Sequence, residues 1–152
     1  NDLVARMKPG DRIAIKSSFV QKHRLPFDVG GMPVSCMRIK AIGTIREATK
    51  DGRSVKVDWE PPTAPKDWYF YTYRVTVVEA DPSDDLARRL IQFTFGDYKQ
   101  DYDFWLRVPY FAKKYRDGAD QLNESAEEDE DEAEVEEEQL QPYGTRTSHF
   151  TQ

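Results

Sequence analysis

At 152 residues with a formal net charge of −6, the chain is long enough for one domain and a further segment. Residues 1–120 hold 21 Lys+Arg against 17 Asp+Glu, whereas residues 121–152 hold one Arg against 11 acids, so the acidic total describes the tail and not the body. The one cysteine, Cys36, excludes an internal disulfide and a cysteine-based zinc cluster, and the sequence holds neither an apolar run of membrane-spanning length nor a Walker-type phosphate loop.

Taken in order, residues 2–7 read as the end of a helix stopped before Pro9-Gly10. Gly10-Asp11 then launches a first strand over 12–19, in which Ile13 and Ile15 alternate with polar or small residues. Residues 20–33, with Pro26, Gly30, Gly31 and Pro33 among basic side chains, read as a long loop. A second strand runs from about 34 to 45, and the Asp51-Gly52 turn joins it to a third over 54–59. Three prolines stiffen the connection 60–67, which leads into Trp68-Tyr69-Phe70-Tyr71-Thr72-Tyr73-Arg74. Aromatic and β-branched residues favour a pleated surface, so 68–78 is expected to be one strand with rings on both faces.

Beyond it the period changes. Asp81-Pro82 looks like an N-cap with proline at the first helical position, and Leu86, Leu90, Ile91 and Phe93 form an apolar stripe. Arg88 and Arg89 fall off that stripe. Gly96 breaks the helix, and a short helix is expected around 101–106 in a second aromatic-rich stretch. Residues 121–152, with the acidic run 127–138, read as a disordered linker following a domain at 1–120. The lack of a secretory leader points to an intracellular protein, and the opening on Asn1 to a piece of something longer.

Little here suggests catalysis. His23 and His149 have no evident partner for a metal site or a proton relay, Asp101 and Asp103 resemble a helix cap, and Cys36 lies in an apolar strand. The expectation is a binding domain with no cofactor and no metal. Basic residues in the first half, among them Lys22, Arg24, Arg38, Lys40, Arg53 and Lys56, with Arg74 at the end of the aromatic run, suit nucleic-acid backbone contacts. An ordinary solvated face would carry the same charges. If the strand ends at Ser17-Ser18-Phe19, Trp59 and Trp68 converge, their rings could hold one extruded base. Each stacked ring contributes roughly 1–3 kcal/mol, and flipping a base costs a few kcal/mol. One ring would barely break even; two rings with hydrogen bonds to the base edge would win.

The segments KPGDRIAIKSSF (8–19), RIKAIGTI (38–45), DGRSVKVDWE (51–60), WYFYTYR (68–74) and DYDFWLRVPYF (101–111) give the chain its resemblance to a known family. In their order and spacing it resembles the N-terminal recognition domains of McrB-type modification-dependent restriction ATPases/GTPases, and more broadly the EVE and YTH branch of PUA-like folds. The resemblance implies an α+β architecture, a twisted PUA/EVE-like β-barrel flanked by short helices. It implies a cage that accepts a modified, methylated base flipped from double-stranded DNA. Lys16, Ser17 and Ser18 would read the base edge, with Trp59 and Trp68 as cage walls and Phe19 and Tyr71 as further candidates. It also implies a prokaryotic, cytoplasmic parent whose AAA+ motor, joined in cis through the linker, recruits a nuclease subunit. The helix that normally precedes the GD turn is largely missing from this chain. Trp59 also shares a strand face with Val55 and Val57, which would suit a core position. Two other readings stay open: a protein-interaction or scaffold module whose rings are core, and a reader of modified RNA.

Overall fold

The computed structural model describes residues 2–117 and 148–152, and these form an α+β unit around one mixed six-stranded sheet. The strands are β1 (Arg12–Gln21), β2 (Val34–Ala48), β3 (Val55–Trp59), β4 (Lys66–Tyr69), β5 (Val77–Ala80) and β6 (Ser148–Thr151). Four short helices accompany them: α1 (Asp2–Ala5), α2 (Asp85–Phe95), α3 (Tyr102–Arg107) and α4 (Pro109–Ala112), the last running into a wider turn at Lys113–Asp117. The sheet order is β3-β2-β1-β6-β5, with β4 also paired to β2. All neighbours are antiparallel except β1 and β6. The sheet is open, with β3 and β5 at its two ends, whereas the resemblance implied a closed barrel.

Both faces of β1 are covered, which is why its alternation reads weakly. Ala14 joins the larger core with Met37, Trp68, Leu90, Trp105 and Phe150, while its neighbour Ile13 joins Met7 and Ile45 on the other face. One irregularity matters for the site. Ile15 pairs with Ala41 but Lys16 pairs with Ile39, so Lys40 is an extra residue on β2. Such a bulge reverses which way the following side chains point.

The aromatic stretch is two strands, not one. Phe70 adopts φ 79°, a left-handed conformation that ends β4, and the amide of Tyr71 bonds back to Tyr69 O at 3.1 Å. The chain then stays irregular until Val77. Every residue from Trp68 to Tyr73 is buried, so no ring-bearing face of this segment is left over.

Helix α2 starts later than expected. Its N-cap is Asp84, whose carboxylate accepts from the amides of Leu86 and Ala87, while Asp81 accepts from the amide and hydroxyl of Ser83 in the turn before it. The apolar stripe is as read: Leu90 and Phe93 are buried, with Leu86 and Ile91 packed against the core. Helix α3 is capped by Asp101, which accepts from the amide of Phe104.

The end of the chain corrects the linker reading. Residues 148–151 are a strand of the sheet, inserted between β1 and β5. The remainder of that expectation, 121–147 with its acidic run, lies outside the described residues. His149, read as having no partner, is buried with its Nε2 3.0 Å from Asp11 Oδ2. No helix among the described residues is long and apolar enough to cross a membrane.

Candidate nucleic-acid interface

Strands β3 and β4 pair with the same edge of β2, β3 along 43–48 and β4 along 36–39. Between them residues 60–65, which include Pro61, Pro62 and Pro65, swing away from the sheet because proline cannot donate to a ladder. The gap so formed opens a groove of about 730 Å³. Residues 39–42 of β2 are its floor, Trp59 to Ala64 one wall, and the end of α2 with Gly96 and Asp97 the other.

Trp59 owes its place here to Gly43. The two are cross-strand partners, and a Cβ on Gly43 would stand 3.0 Å from the indole Cε3 and 2.6 Å from Val57 Cγ1. Without that Cβ the ring lies against the β2 backbone, the way aromatic residues commonly cover a glycine across a ladder. It nevertheless remains 46% exposed, the only tryptophan so placed among the described residues.

Polar side chains fix the walls. The Arg12 guanidinium donates to Glu60 Oε2 at 2.7 Å and to Gly43 O at 3.3 Å and lies 4.5 Å from the Phe95 ring centre, tying β1, β2, the proline loop and α2 together. Lys66 Nζ donates to Phe93 O and Thr94 O at 2.6 and 3.2 Å, satisfying carbonyls that the helix end leaves open. Burial pushes the Lys66 ammonium below the usual lysine range, opposed by the charges of Asp97 and Glu60. In the α2 wall, the Thr94 hydroxyl is buried without a hydrogen-bond partner among the described residues. Lys40, the bulge residue, is exposed at the groove with no ion pair among the described residues.

The expected cage is not assembled. Trp68 is 1% exposed, its Nε1 donates to Tyr71 O at 2.7 Å, and its ring packs on Phe93 and edge-on to Trp105. Tyr71 stacks on Trp105 within the same core. Lys16 and Ser18 are turned to the main chain: Lys16 Nζ donates to Val75 O at 3.0 Å and Ser18 Oγ to Tyr73 O at 2.7 Å, holding the segment after the Phe70 turn against β1. Ser17 is half-buried opposite Arg38, and Phe19 lies 5.0 Å below the Arg38 guanidinium. Of the expected base-binding residues, Trp59 alone lines the groove.

The basic residues are likewise dispersed. Arg38 makes a two-pronged pair with Asp67, and Lys56 lies 3.9 Å from Glu47. Lys22 and Arg24 are exposed beyond the end of β1, Arg53 lies in the turn past the far end of β2, and Arg74 is exposed before β5. Lys40 is the one expected backbone contact at the groove. Sequence reading missed the proline wall and the end of α2; the cluster of three prolines directly after Trp59 was the available signal. Among the described residues, no three His, Cys, Asp or Glu side chains are grouped as a metal site would need.

Comparison with protein-family models, curated proteins and solved structures finds no match to this chain.

Proposed function

We propose that this chain is the DNA-specificity domain of a McrB-type restriction ATPase and reads a methylated base swung out of the duplex into the groove at Trp59. The observation that carries the reading is an indole 46% exposed on the wall of a concave site that the exposed Lys40 also lines. A tryptophan so exposed is costly to leave in water, and on a concave surface it suits a flat ligand. Lys40 supplies positive charge for the phosphate that accompanies a swung-out nucleotide. The ordered sequence segments that resemble the recognition domains support the same reading. On it the open sheet is a PUA-like architecture, the domain itself does no chemistry, and an AAA+ motor in cis with a nuclease subunit acts on the DNA it selects in a prokaryotic cytoplasm.

The test is binding to otherwise identical duplexes carrying 5-methylcytosine, N6-methyladenine or no modification, for the wild type and Trp59→Ala. Preference for one modified duplex, lost in a variant that melts like the wild type, is the expected result. Equal, purely salt-dependent affinity for all three would remove the reading. The burial of Trp68, Tyr69, Phe70, Tyr71 and Tyr73 favours the second reading, an interaction module with its rings as core. Under that reading Trp59→Ala leaves DNA affinity untouched.

A further inference from the structure

We propose that β3 is a self-association edge, through which two copies of this chain pair antiparallel about Val57 and join their sheets into one. The inference owes nothing to what the groove binds.

The outer side of β3 is open. Strands β3 and β5 end the sheet, but Val78, Glu79 and Ala80 of β5 are buried and α1 lies against that strand, whereas Lys56, Asp58 and Trp59 of β3 are exposed. The backbone on the open side is set for pairing. Glu60 N donates to Ile42 O at 2.9 Å and Ser54 O accepts from Thr49 N at 3.0 Å, so residues 54 and 60 turn these main-chain groups toward β2. Alternation along the strand then turns the N–H and C=O groups of Val55, Val57 and Trp59 outward, where no described strand meets them.

The side chains choose the partner. In an antiparallel pair centred on Val57, those three residues stand opposite Trp59, Val57 and Val55 of the second copy, and outward main-chain groups meet outward ones. Lys56 then faces Asp58 of the second copy, and Asp58 faces its Lys56. On the other face Val55 and Val57, which already pack on the small core of Met7, Ile13 and Ile45, continue across the seam. Opposite charges directly across a ladder stabilise it, and like charges oppose it. Slipping the pairing one step either way sets Lys56 against Lys56 or Asp58 against Asp58, so the charges fix this register and disfavour its neighbours. A β3 edge protected from pairing would carry charges that meet their own sign. Within one copy the same two charges are only loosely engaged. Lys56 lies 3.9 Å from Glu47 and Asp58 3.6 Å from Arg46, with all four side chains largely exposed, and such pairs contribute little.

The test is sedimentation equilibrium of the full chain, from low micromolar to submillimolar concentration. The samples are wild type, Lys56→Glu, Asp58→Lys and an equimolar mixture of the two variants, each variant shown by circular dichroism and a thermal melt to fold like the wild type. The wild type is expected to show a monomer–dimer equilibrium. Either variant alone sets like charges across both positions of the seam, and its dissociation constant should rise about tenfold or more. The mixture restores opposite charges at both positions and should recover the wild-type mass. Asp58→Lys also lowers the net negative charge of the chain, so its weaker association would not come from general repulsion between copies. A wild type that stays monomeric throughout, variants that dimerise as well as the wild type, or a mixture no heavier than its components would each overturn the inference.

Discussion

His149 meets Asp11 at 3.0 Å with both side chains buried, and this contact joins the last strand of the sheet to the turn that begins the first. Asp11 also accepts from the amide of Lys8 at 3.0 Å, and its carbonyl receives Ile45 N at 2.8 Å. The same aspartate therefore fixes the turn after α1, the start of β1, and strands β2 and β6 at one corner.

Removing either side chain takes a buried polar contact away from the other. His149→Ala and Asp11→Ala are each expected to lower the unfolding free energy by about 3 kcal/mol. Because they act on one contact, the double variant should lose clearly less than the sum of the two. Urea denaturation of the four proteins reads this directly, and additive losses would show that the pair is not coupled.

The two tryptophans expected to share a site should behave oppositely. Trp68→Ala removes a fully buried indole and its bond to Tyr71 O, and should cost about 3–5 kcal/mol, enough to unfold a marginal domain. Trp59→Ala should change stability by no more than about 1 kcal/mol, because half its ring already faces water. Thermal melts of the pair separate core from surface, and similar losses in both would contradict the placement of Trp59.

Gly43→Ala tests the seat of that ring. The added methyl would lie 2.6 Å from Val57 Cγ1 and 2.7 Å from Asp58 O, so β3 must move away from β2. A loss of about 1–3 kcal/mol is expected, with a red shift and stronger acrylamide quenching of Trp59 fluorescence in a Trp68→Phe, Trp105→Phe background that retains its fold. An unchanged melt and spectrum would show that the seam tolerates the methyl.

Alkaline pH should weaken the fold. Burial, aided by the charge of Asp67, pushes the Cys36 thiol from its ordinary 9.0 up to about 12. Burial, with Cys36 and Asp67 next, moves the Tyr69 hydroxyl from 10.0 to about 12. Both groups hold their protons longer in the folded chain than in the unfolded one. Their contribution is thus complete below pH 9 and is lost as pH rises toward 12, at no more than about 1.4 kcal/mol per pH unit for each. Lys66, lowered by burial, has the opposite sign and offsets part of the loss below its ordinary value of 10.5. Unfolding free energy measured from pH 7 to 11 should therefore be flat and then fall, with the fall starting later in Cys36→Ala. Cys36 should also resist thiol reagents at pH 9 until the chain unfolds.

Strands β1, β2 and β3 were legible in the sequence because Ile13, Ile39, Val55 and Val57 alternate with polar neighbours and Asp51-Gly52 marks the hairpin. The break inside the aromatic stretch was not, since a left-handed Phe70 is imposed by packing and leaves no mark on composition. The cap of α2 was misplaced by three residues because Asp81 before a proline and Asp84 before an aspartate are equally good caps locally. Strand β6 escaped notice because Ser148 to Thr151 is too short to show a period, and its partners Arg12 and Val77 are far away in the chain. For the site, the abundance of rings was readable, but which ring stays wet was not. That depends on Gly43 lying opposite Trp59 and Met37 opposite Trp68, a matter of register and not of residue type.

Because β3 and β4 are fastened to a single rail of β2, the six residues between them can shift without unzipping either strand. Among the described residues, the amide of Glu60 on Ile42 O, at 2.9 Å, and the Arg12 clasp restrain the near end of that span. The groove's aperture is thereby uncoupled from the integrity of the sheet. A guest wider or narrower than the resting gap can be fitted by flexing one stiff proline strap while the framework behind it stays still.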